Sequence, residues 1–128
     1  MEKLRAYSRF IKIEHTLFSF PLLVAGALLA RGELNARVCV LILIAGTGAR
    51  TAALALNRIL DRTIDKNNPR TASRELPSGA LSLGDASVVT FLGSGVFLAA
   101  AYLISPRCLV LAPIPLTIFL LYPLMKRR

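Results

Sequence analysis

Acidic residues are scarce in this sequence and they stop early. Seven Asp and Glu stand against sixteen Lys and Arg, giving a formal net charge of +9, and no acidic residue follows Asp85. Any metal or cation site built from carboxylates must therefore lie in the earlier part of the chain. The basic excess could serve an anionic lipid surface or a nucleic acid, and its distribution along the chain decides between the two.

Cysteine is also rare. Cys39 and Cys108 both lie inside apolar runs, where a cysteine usually acts as a small buried side chain. This position predicts neither a disulfide nor a zinc site. The sequence also lacks a Gly-rich phosphate loop, a Ser-His-Asp set and an internal repeat.

Long apolar runs are what the sequence does have. Hydrophobic residues make up 55% of the 128 residues, and mean hydropathy is +0.60. Four runs are long enough, or nearly so, to cross a bilayer as helices. They predict spans over roughly residues 11–30, 38–56, 86–105 and 107–125. We therefore expect an all-α, polytopic membrane helical bundle with four transmembrane helices, forming a single transmembrane domain over residues 1–128.

The basic residues alternate between rich and poor segments. They concentrate before the first span, in residues 57–85 and at the C-terminus, whereas Arg31 and Arg37 alone separate the first two spans and Arg107 separates the last two. The positive-inside tendency then places both termini and the 57–85 motif loop in the cytoplasm. We expect an integral protein of the inner (cytoplasmic) membrane of a prokaryote. Because the charge is spread over separate membrane-flanking loops, it favours contact with the lipid bilayer and gives no support to nucleic-acid binding.

The polar stretch from Asn57 to Gly79 separates the second and third spans. Within it Asn57, Asp61 and Asp65 recur every fourth residue, which places them on one side of a helix. Two carboxylates one turn apart in an apolar setting resist ionisation unless a cation neutralises them, and Mg²⁺ with substrate phosphates is the natural partner. Four basic residues continue the same rhythm and could bind a diphosphate: Arg62, Lys66, Arg70 and Arg74. The alternative interpretation is a solvated surface helix with weak ion pairs.

Arg50 is the one charge inside the second apolar run. It precedes Asn57 by seven residues, about two helical turns, and so lies on nearly the same side. An arginine within a membrane span costs about 3 kcal/mol or more unless it faces a polar cavity or an anion, which makes Arg50 a candidate anion-binding residue. The alternative is a side chain that extends to the membrane interface.

Local signals predict where several helices begin, end and pack. The residues Asn67-Asn68-Pro69 predict a helix end, and Ser82 with Asp85 resembles a capping box that starts the third span. Pro113 and Pro115 predict a kinked or broken fourth span. Glycines in the second and third spans predict close helix packing: Gly46, Gly48, Gly93 and Gly95.

These residues together resemble a known family. The pattern Asn57-x-x-x-Asp61-x-x-x-Asp65, followed by residues 68–71 (NPRT) and 74–79 (RELPSG), resembles the first aspartate-rich signature of the UbiA family of intramembrane aromatic prenyltransferases. Arg50 matches a position where relatives have arginine, and residues 122–127 (YPLMKR) resemble the end of their fourth helix. Within the family the chain is most similar to 4-hydroxybenzoate polyprenyltransferases. Residues 13–16 (IEHT) resemble relatives that act in menaquinone synthesis.

The resemblance implies a function. Family members transfer a polyprenyl group from a polyprenyl diphosphate to an aromatic acceptor such as 4-hydroxybenzoate, in ubiquinone or menaquinone biosynthesis, with Mg²⁺ as cofactor. It implies that Asn57, Asp61 and Asp65 form the catalytic metal and diphosphate set. It further implies that Arg50 binds the acceptor carboxylate or adjoining wall, and that four basic residues contact the diphosphate: Arg62, Lys66, Arg70 and Arg74.

One departure from the family leads to a further expectation. Family members have more membrane helices and a second aspartate-rich motif in their later half, whereas this sequence has no acid beyond Asp85. We therefore expect an N-terminal portion of a prenyltransferase, without autonomous activity. The alternatives are a noncatalytic membrane subunit or an inactive fragment. A CDP-alcohol phosphotransferase would need an Asp-Gly and Ala-Arg arrangement with further aspartates, which the sequence lacks.

Overall fold

One long helix, α3, runs from Ala36 to Asn67 and organises the other elements around it. The computed structural model describes residues 2–11, 13–31 and 35–125, and within them the regular structure is helical: α1 (Glu2–Ile11), α2 (Ile13–Arg31), α3 (Ala36–Asn67), α4 (Leu83–Ile104), α5 (Pro106–Leu111) and α6 (Pro113–Met125). The α4 helix packs most extensively on α3, with α2 and α6 also against it and α1 near its C-terminal end. The predicted all-α architecture is confirmed.

The ends of α3 and α4 follow from local sequence. Asn35 caps α3, its side chain accepting a hydrogen bond from the Val38 N–H at 2.8 Å. The helix ends at Asn67, as the residues before Pro69 predict. Ser82 and Asp85 form the predicted capping box, with the Ser82 Oγ accepting from the Asp85 N–H and the Asp85 carboxylate accepting from the Ser82 N–H.

The two longest helices approach each other through glycine. A Cβ added to Gly93 would lie 2.9 Å from Ala52 N and from Gly48 O, and one added to Gly48 would lie 2.8 Å from Gly93 O. Backbone atoms therefore occupy the space that a side chain would need. A Cβ at Gly46 would meet the Leu23 side chain on α2, whereas one at Gly95 would meet nothing within 4 Å among the described residues. The packing prediction is confirmed for the first three glycines and is wrong for Gly95 in this part of the chain.

Two of the four predicted spans are matched by helices long and apolar enough to cross a membrane: α3 and α4, in the part of the chain that the structure describes. The apolar segment of α2, residues 20–29, is shorter. The last apolar stretch is divided at Ala112 into α5 and α6, which confirms the break predicted from Pro113. Four transmembrane helices therefore stay a prediction.

Large apolar side chains face outwards along several helices. Leu29 is 91% exposed, Phe91 80% and Val110 77%. Exposed apolar surface on this scale is unfavourable in water, and a lipid environment removes that cost.

The segment predicted as a motif loop, residues 57–85, is helical in its first part. Residues 57–67 continue α3, because helix-compatible residues with acid–base pairs run on until Asn68 and Pro69. We call residues 57–67 the polar end of α3 and residues 68–82 the connecting segment. Turn hydrogen bonds order the connecting segment, including Arg74 N–H to Thr71 O at 3.0 Å and Leu81 N–H to Glu75 O at 2.9 Å. Gly79 has a φ of +80°, a conformation that glycine adopts without strain.

A small core joins the connecting segment to the helices. Phe10 of α1 is fully buried, together with Ala55, Leu76, Leu81 and Ala86. This core fixes the connecting segment against the polar end of α3, where the candidate site lies.

Candidate functional site

The predicted site residues share one face of α3. Counting about 100° per residue, Arg50, Asn57, Asp61 and Asp65 fall within an arc of roughly 80°, spread over roughly 22 Å along the helix axis. Asp61 and Asp65 are 9% and 7% exposed, and Arg50 and Asn57 are half-buried. The face therefore carries an arginine in the apolar part of the helix, an amide at the start of its polar end, and two buried carboxylates farther along.

A cavity of about 640 Å³ opens beside this face, between α2, α3 and α6. Arg50 and Asn57 line it, and most of the remaining lining is apolar. Among the described residues, Asp61 and Asp65 do not line this cavity and lie beyond it along α3. The cavity could hold an apolar ligand with one anionic or polar group near Arg50 or Asn57.

Arg74 binds Asp65. Nη1 of Arg74 lies 3.1 Å from Oδ1 and 2.9 Å from Oδ2, and the two groups form an ion pair. The Thr71 hydroxyl donates to the backbone oxygen of Asp65 at 3.0 Å, so the start of the connecting segment is fastened to the same residue. The connecting segment therefore folds back onto the polar end of α3.

A second ion pair, between Arg58 and Glu75, lies under the connecting segment. Arg58 is 8% exposed, and its guanidinium carbon lies 4.8 Å from the centre of the Phe10 ring, a cation–π contact. Arg58 and Asp65 are seven residues apart and therefore lie on the same side of α3. They pair with two adjacent residues of the connecting segment, Arg58 with Glu75 and Asp65 with Arg74. From the sequence, Arg58 is only one of the basic residues in the 57–85 loop that indicate membrane orientation. The opposite charges of Arg58 and Asp65, and of Arg74 and Glu75, were the signal that could have predicted the two ion pairs.

The other predicted diphosphate ligands are solvent-exposed. Arg62 and Lys66 lie on exposed positions of α3, and Arg70 is exposed in the connecting segment. Because α3 ends at Asn67, Arg70 and Arg74 do not continue the helical rhythm assumed from the sequence. The chain path brings Arg74 to Asp65 and does not gather all four basic residues on one helix face.

Sequence reasoning missed several residues that line the cavity. Phe20 of α2 and Phe119 and Tyr122 of α6 form part of its wall. In the sequence, Tyr122 stood out only within residues 122–127, which resemble the end of the fourth helix of family members. The side chains of Glu14 and His15, within the 13–16 segment that resembles menaquinone-linked relatives, lie outside the described residues.

The donor set for a metal is limited. Among the side chains that the structure describes, no group of three or more His, Cys, Asp or Glu occurs in an arrangement that could hold a metal ion. Asp61 and Asp65 are carboxylate donors, and Asn57 adds an amide oxygen. Mg²⁺ commonly binds to one or two carboxylates and completes its shell with water and substrate phosphates, so these oxygen donors suit such a partial shell.

Comparisons with known proteins cover most of the chain. The 4-hydroxybenzoate octaprenyltransferase of Shewanella frigidimarina (strain NCIMB 400) is 30% identical over 131 residues, covering 98% of this chain and 46% of that protein. The protein of the same name from Coxiella burnetii (strain Dugway 5J108-111) is 29% identical over 111 residues, covering 87% of this chain and 39% of that protein. The chain thus spans less than half the length of these curated relatives.

Solved structures show the same fold. The apo structure of a UbiA homolog from Aeropyrum pernix K1 superposes with a TM-score of 0.86 at 43% identity, over 90% of this chain and 42% of that chain. A structure described for digeranylgeranylglyceryl phosphate synthase in membranes superposes with a TM-score of 0.85 at 26% identity, over 96% of this chain and 44% of that one. The sequence profile of the UbiA prenyltransferase family matches residues 18–128. This chain belongs to the UbiA prenyltransferase family.

Proposed function

We propose that this chain carries the diphosphate-activating part of an intramembrane prenyltransferase that joins a polyprenyl group to an aromatic acceptor such as 4-hydroxybenzoate. The observation that carries the proposal is the shared face of α3, which combines buried Asp61 and Asp65 with Arg50 and Asn57 beside an apolar cavity. Family membership, with its integral membrane character and relatives named 4-hydroxybenzoate octaprenyltransferase, supports this reaction class. The product would enter ubiquinone or menaquinone biosynthesis.

The reaction breaks one bond and forms another. The allylic C–O bond of the polyprenyl diphosphate breaks, and its electron pair leaves with the diphosphate. A ring carbon of the acceptor then forms a C–C bond to the prenyl carbon and loses its proton to the medium. Negative charge grows on the leaving diphosphate, so positive groups near it stabilise the transition state more than the ground state.

Asp61 and Asp65 would hold Mg²⁺ together with the diphosphate, and Asn57 would add a polar oxygen. When bound, the ion would neutralise the negative charge that develops on the leaving diphosphate. Four basic residues are the candidate diphosphate contacts: Arg62, Lys66, Arg70 and Arg74. The apolar wall of the cavity accommodates the prenyl chain and excludes water, which would otherwise capture the allylic cation.

The direct test measures prenyl transfer in membranes that contain these residues within a protein of the relatives' full length, since no autonomous activity is expected of the 128 residues alone. Labelled polyprenyl diphosphate and 4-hydroxybenzoate are supplied with Mg²⁺ or with EDTA. We expect Asp61→Asn and Asp65→Asn each to lower the rate by a factor of about 100 or more, because each removes a charged ligand of the leaving group. Asp85→Asn is the matched control, since the amide that it introduces retains an oxygen for the Ser82 cap. An undiminished rate in either Asp61→Asn or Asp65→Asn would refute the assignment.

Arg50 allows a separate test of the acceptor. We propose that its guanidinium, at the cavity wall, binds the acceptor carboxylate. Arg50→Gln is then expected to raise the KM for 4-hydroxybenzoate about tenfold or more, and to leave the KM for an acceptor without a carboxylate, such as a simple phenol, unchanged. An equal rise for both acceptors would remove Arg50 from this role.

A further inference from the structure

The contact between Arg74 and Asp65 joins a solvent-exposed cation to a buried anion. The Arg74 side chain is 41% exposed, whereas the Asp65 side chain is 10% exposed. One nitrogen, Nη1, donates to both carboxylate oxygens, at 3.1 and 2.9 Å. The guanidinium therefore reaches the carboxylate from the solvent side and occupies the lone pairs that a metal ion would use.

The connecting segment does not depend on this contact for its position. Thr71 donates to the Asp65 backbone at 3.0 Å on one side of Arg74, and on the other side Leu76 and Leu81 are 3% and 2% exposed in the small core. Glu75, next in the chain, is paired with Arg58. The Arg74 side chain can consequently leave Asp65 by a change of rotamer while the backbone on both sides stays fastened.

Resting on the proposed function, we propose that Arg74 competes with a divalent cation for Asp65 and moves to the diphosphate when cation and diphosphate bind together. A carboxylate that coordinates a hard cation gives up the oxygen lone pairs that accept the two Nη1 hydrogen bonds. The cation and the guanidinium also repel each other at such short range. A diphosphate offers the displaced guanidinium several acceptor oxygens, which the planar set of N–H donors of arginine binds well.

The exchange keeps Asp65 neutralised throughout. A buried carboxylate without a counter-charge is costly, and Arg74 provides one whenever the cation does not. The same side chain then contributes positive charge to the leaving group. Arg74 is thus expected to oppose binding of the cation alone and to favour binding of the diphosphate, two effects of opposite sign from one residue.

The opposite signs define the experiment. Arg74→Gln, made in the full chain and purified in detergent micelles, is titrated with Mn²⁺, whose free concentration is followed by electron paramagnetic resonance. Methylenediphosphonate is then titrated calorimetrically in the presence of Mn²⁺. We expect the variant to bind Mn²⁺ alone about tenfold more tightly than wild type, because no guanidinium competes for Asp65. We expect it to bind the diphosphonate about tenfold more weakly, because charge-assisted hydrogen bonds are lost. Arg9→Gln removes an equal charge from an exposed position of α1 and is expected to change neither affinity.

The outcomes separate the exchange from the proposed function. Wild-type protein that binds neither Mn²⁺ nor the diphosphonate would overturn both. Wild-type binding of both, with Arg74→Gln binding Mn²⁺ no more tightly, overturns the exchange alone. Circular dichroism checks the helix content of the variant. If Arg74→Gln loses helix, Arg74→Lys is measured instead, and its shorter, single-point cation must show the same two directions of change.

Discussion

The apolar part of α3 and its polar end contact their neighbours in different ways. In the apolar part, Gly48 and Gly93 bring the backbones of α3 and α4 so close that a Cβ on Gly93 would lie 2.9 Å from Ala52 N. At the polar end, side chains contact the connecting segment through two ion pairs: Arg58 with Glu75 and Arg74 with Asp65. The first contact has no adjustable part, whereas the second consists of side chains that can change partners.

The apolar part of α3 thus acts as a rigid scaffold, and the polar end carries the charged groups of the candidate site. Backbone contact between α3 and α4 fixes one of the helices that form the 640 Å³ cavity, so the wall carrying Arg50 and Asn57 stays in place. The polar end adds groups whose charges can be redistributed when an anion or a cation binds. A rigid cavity next to charges that can change partners is consistent with the proposed diphosphate-activating site.

The largest effect on stability is expected at the Arg58–Glu75 ion pair, the contact of the polar end that is least able to change partners. Glu75→Gln removes the negative partner of Arg58, which is only 8% exposed. The arginine charge then lacks a carboxylate in a poorly solvated place, and the free energy of unfolding should fall by about 3 kcal/mol. Denaturant titration in micelles, followed by circular dichroism, measures this change.

A double-mutant cycle shows whether the ion pair is the cause. Arg58→Met combined with Glu75→Gln should be less destabilising than the sum of the single changes by about 1 kcal/mol or more. The matched control Arg62→Gln, at an exposed position of the same helix, should change stability by less than about 0.5 kcal/mol. Additive single effects would show that the two residues act independently.

The second-largest effect on stability is expected when the close contact between α3 and α4 is disrupted. Gly93→Ala places a methyl group 2.9 Å from backbone atoms of α3, which cannot move aside as a flexible side chain can. We expect a loss of about 2 kcal/mol, typical of overpacking, despite the better helix propensity of alanine. Gly95→Ala, two residues later, meets nothing within 4 Å in the described part of α4 and its surroundings and should stabilise by up to about 1 kcal/mol. Changes of the same sign would contradict the assignment of Gly93 to the helix contact.

Features determined by neighbours in sequence could be predicted. The capping box at Ser82 and Asp85, the helix end at Asn67 and the break before Pro113 each depend on a few adjacent residues. The four-residue spacing of Asn57, Asp61 and Asp65 likewise fixes their shared face, since α3 is regular there. Local chemistry determines these features, so one sequence is sufficient.

Features determined by the path of the chain could not be predicted. The connecting segment turns back so that Arg74 and Glu75 reach α3, and no local pattern specifies that turn. The cavity wall combines α2, α3 and α6, which are distant in sequence. Gly93 and Gly95 lie in the same apolar run and cannot be told apart from the sequence. Gly95 faces away from α3, because two residues along a helix rotate the side-chain direction by about 200°.

The smallest expected effect is a pH dependence of stability that comes from the contact between α1 and α4. Tyr7 of α1 interacts with Asp85 at the start of α4, and its pKa is raised above 10.0, first by desolvation and then by the hydrogen bond to that carboxylate. The folded protein therefore holds the Tyr7 proton more tightly than the unfolded chain does. Stability from this group is complete below the ordinary pKa and is lost as pH rises from there through the folded pKa.

Tyr7→Phe should remove that part of the alkaline loss, whereas Gly93→Ala should leave it intact, because the glycine contact holds no ionisable group. The free energy of unfolding of all three proteins is measured from about pH 9 to pH 11.5, the interval around the ordinary tyrosine pKa. Subtracting the Tyr7→Phe curve from the wild-type curve cancels the titration of lysines and of the other tyrosines. Tyr102→Phe, which removes a hydroxyl from a position 60% exposed on α4, is the matched control. If wild type and Tyr7→Phe have equal slopes, Tyr7 does not link α1 to α4, and the attachment of α1 rests on Phe10 and Arg58 instead.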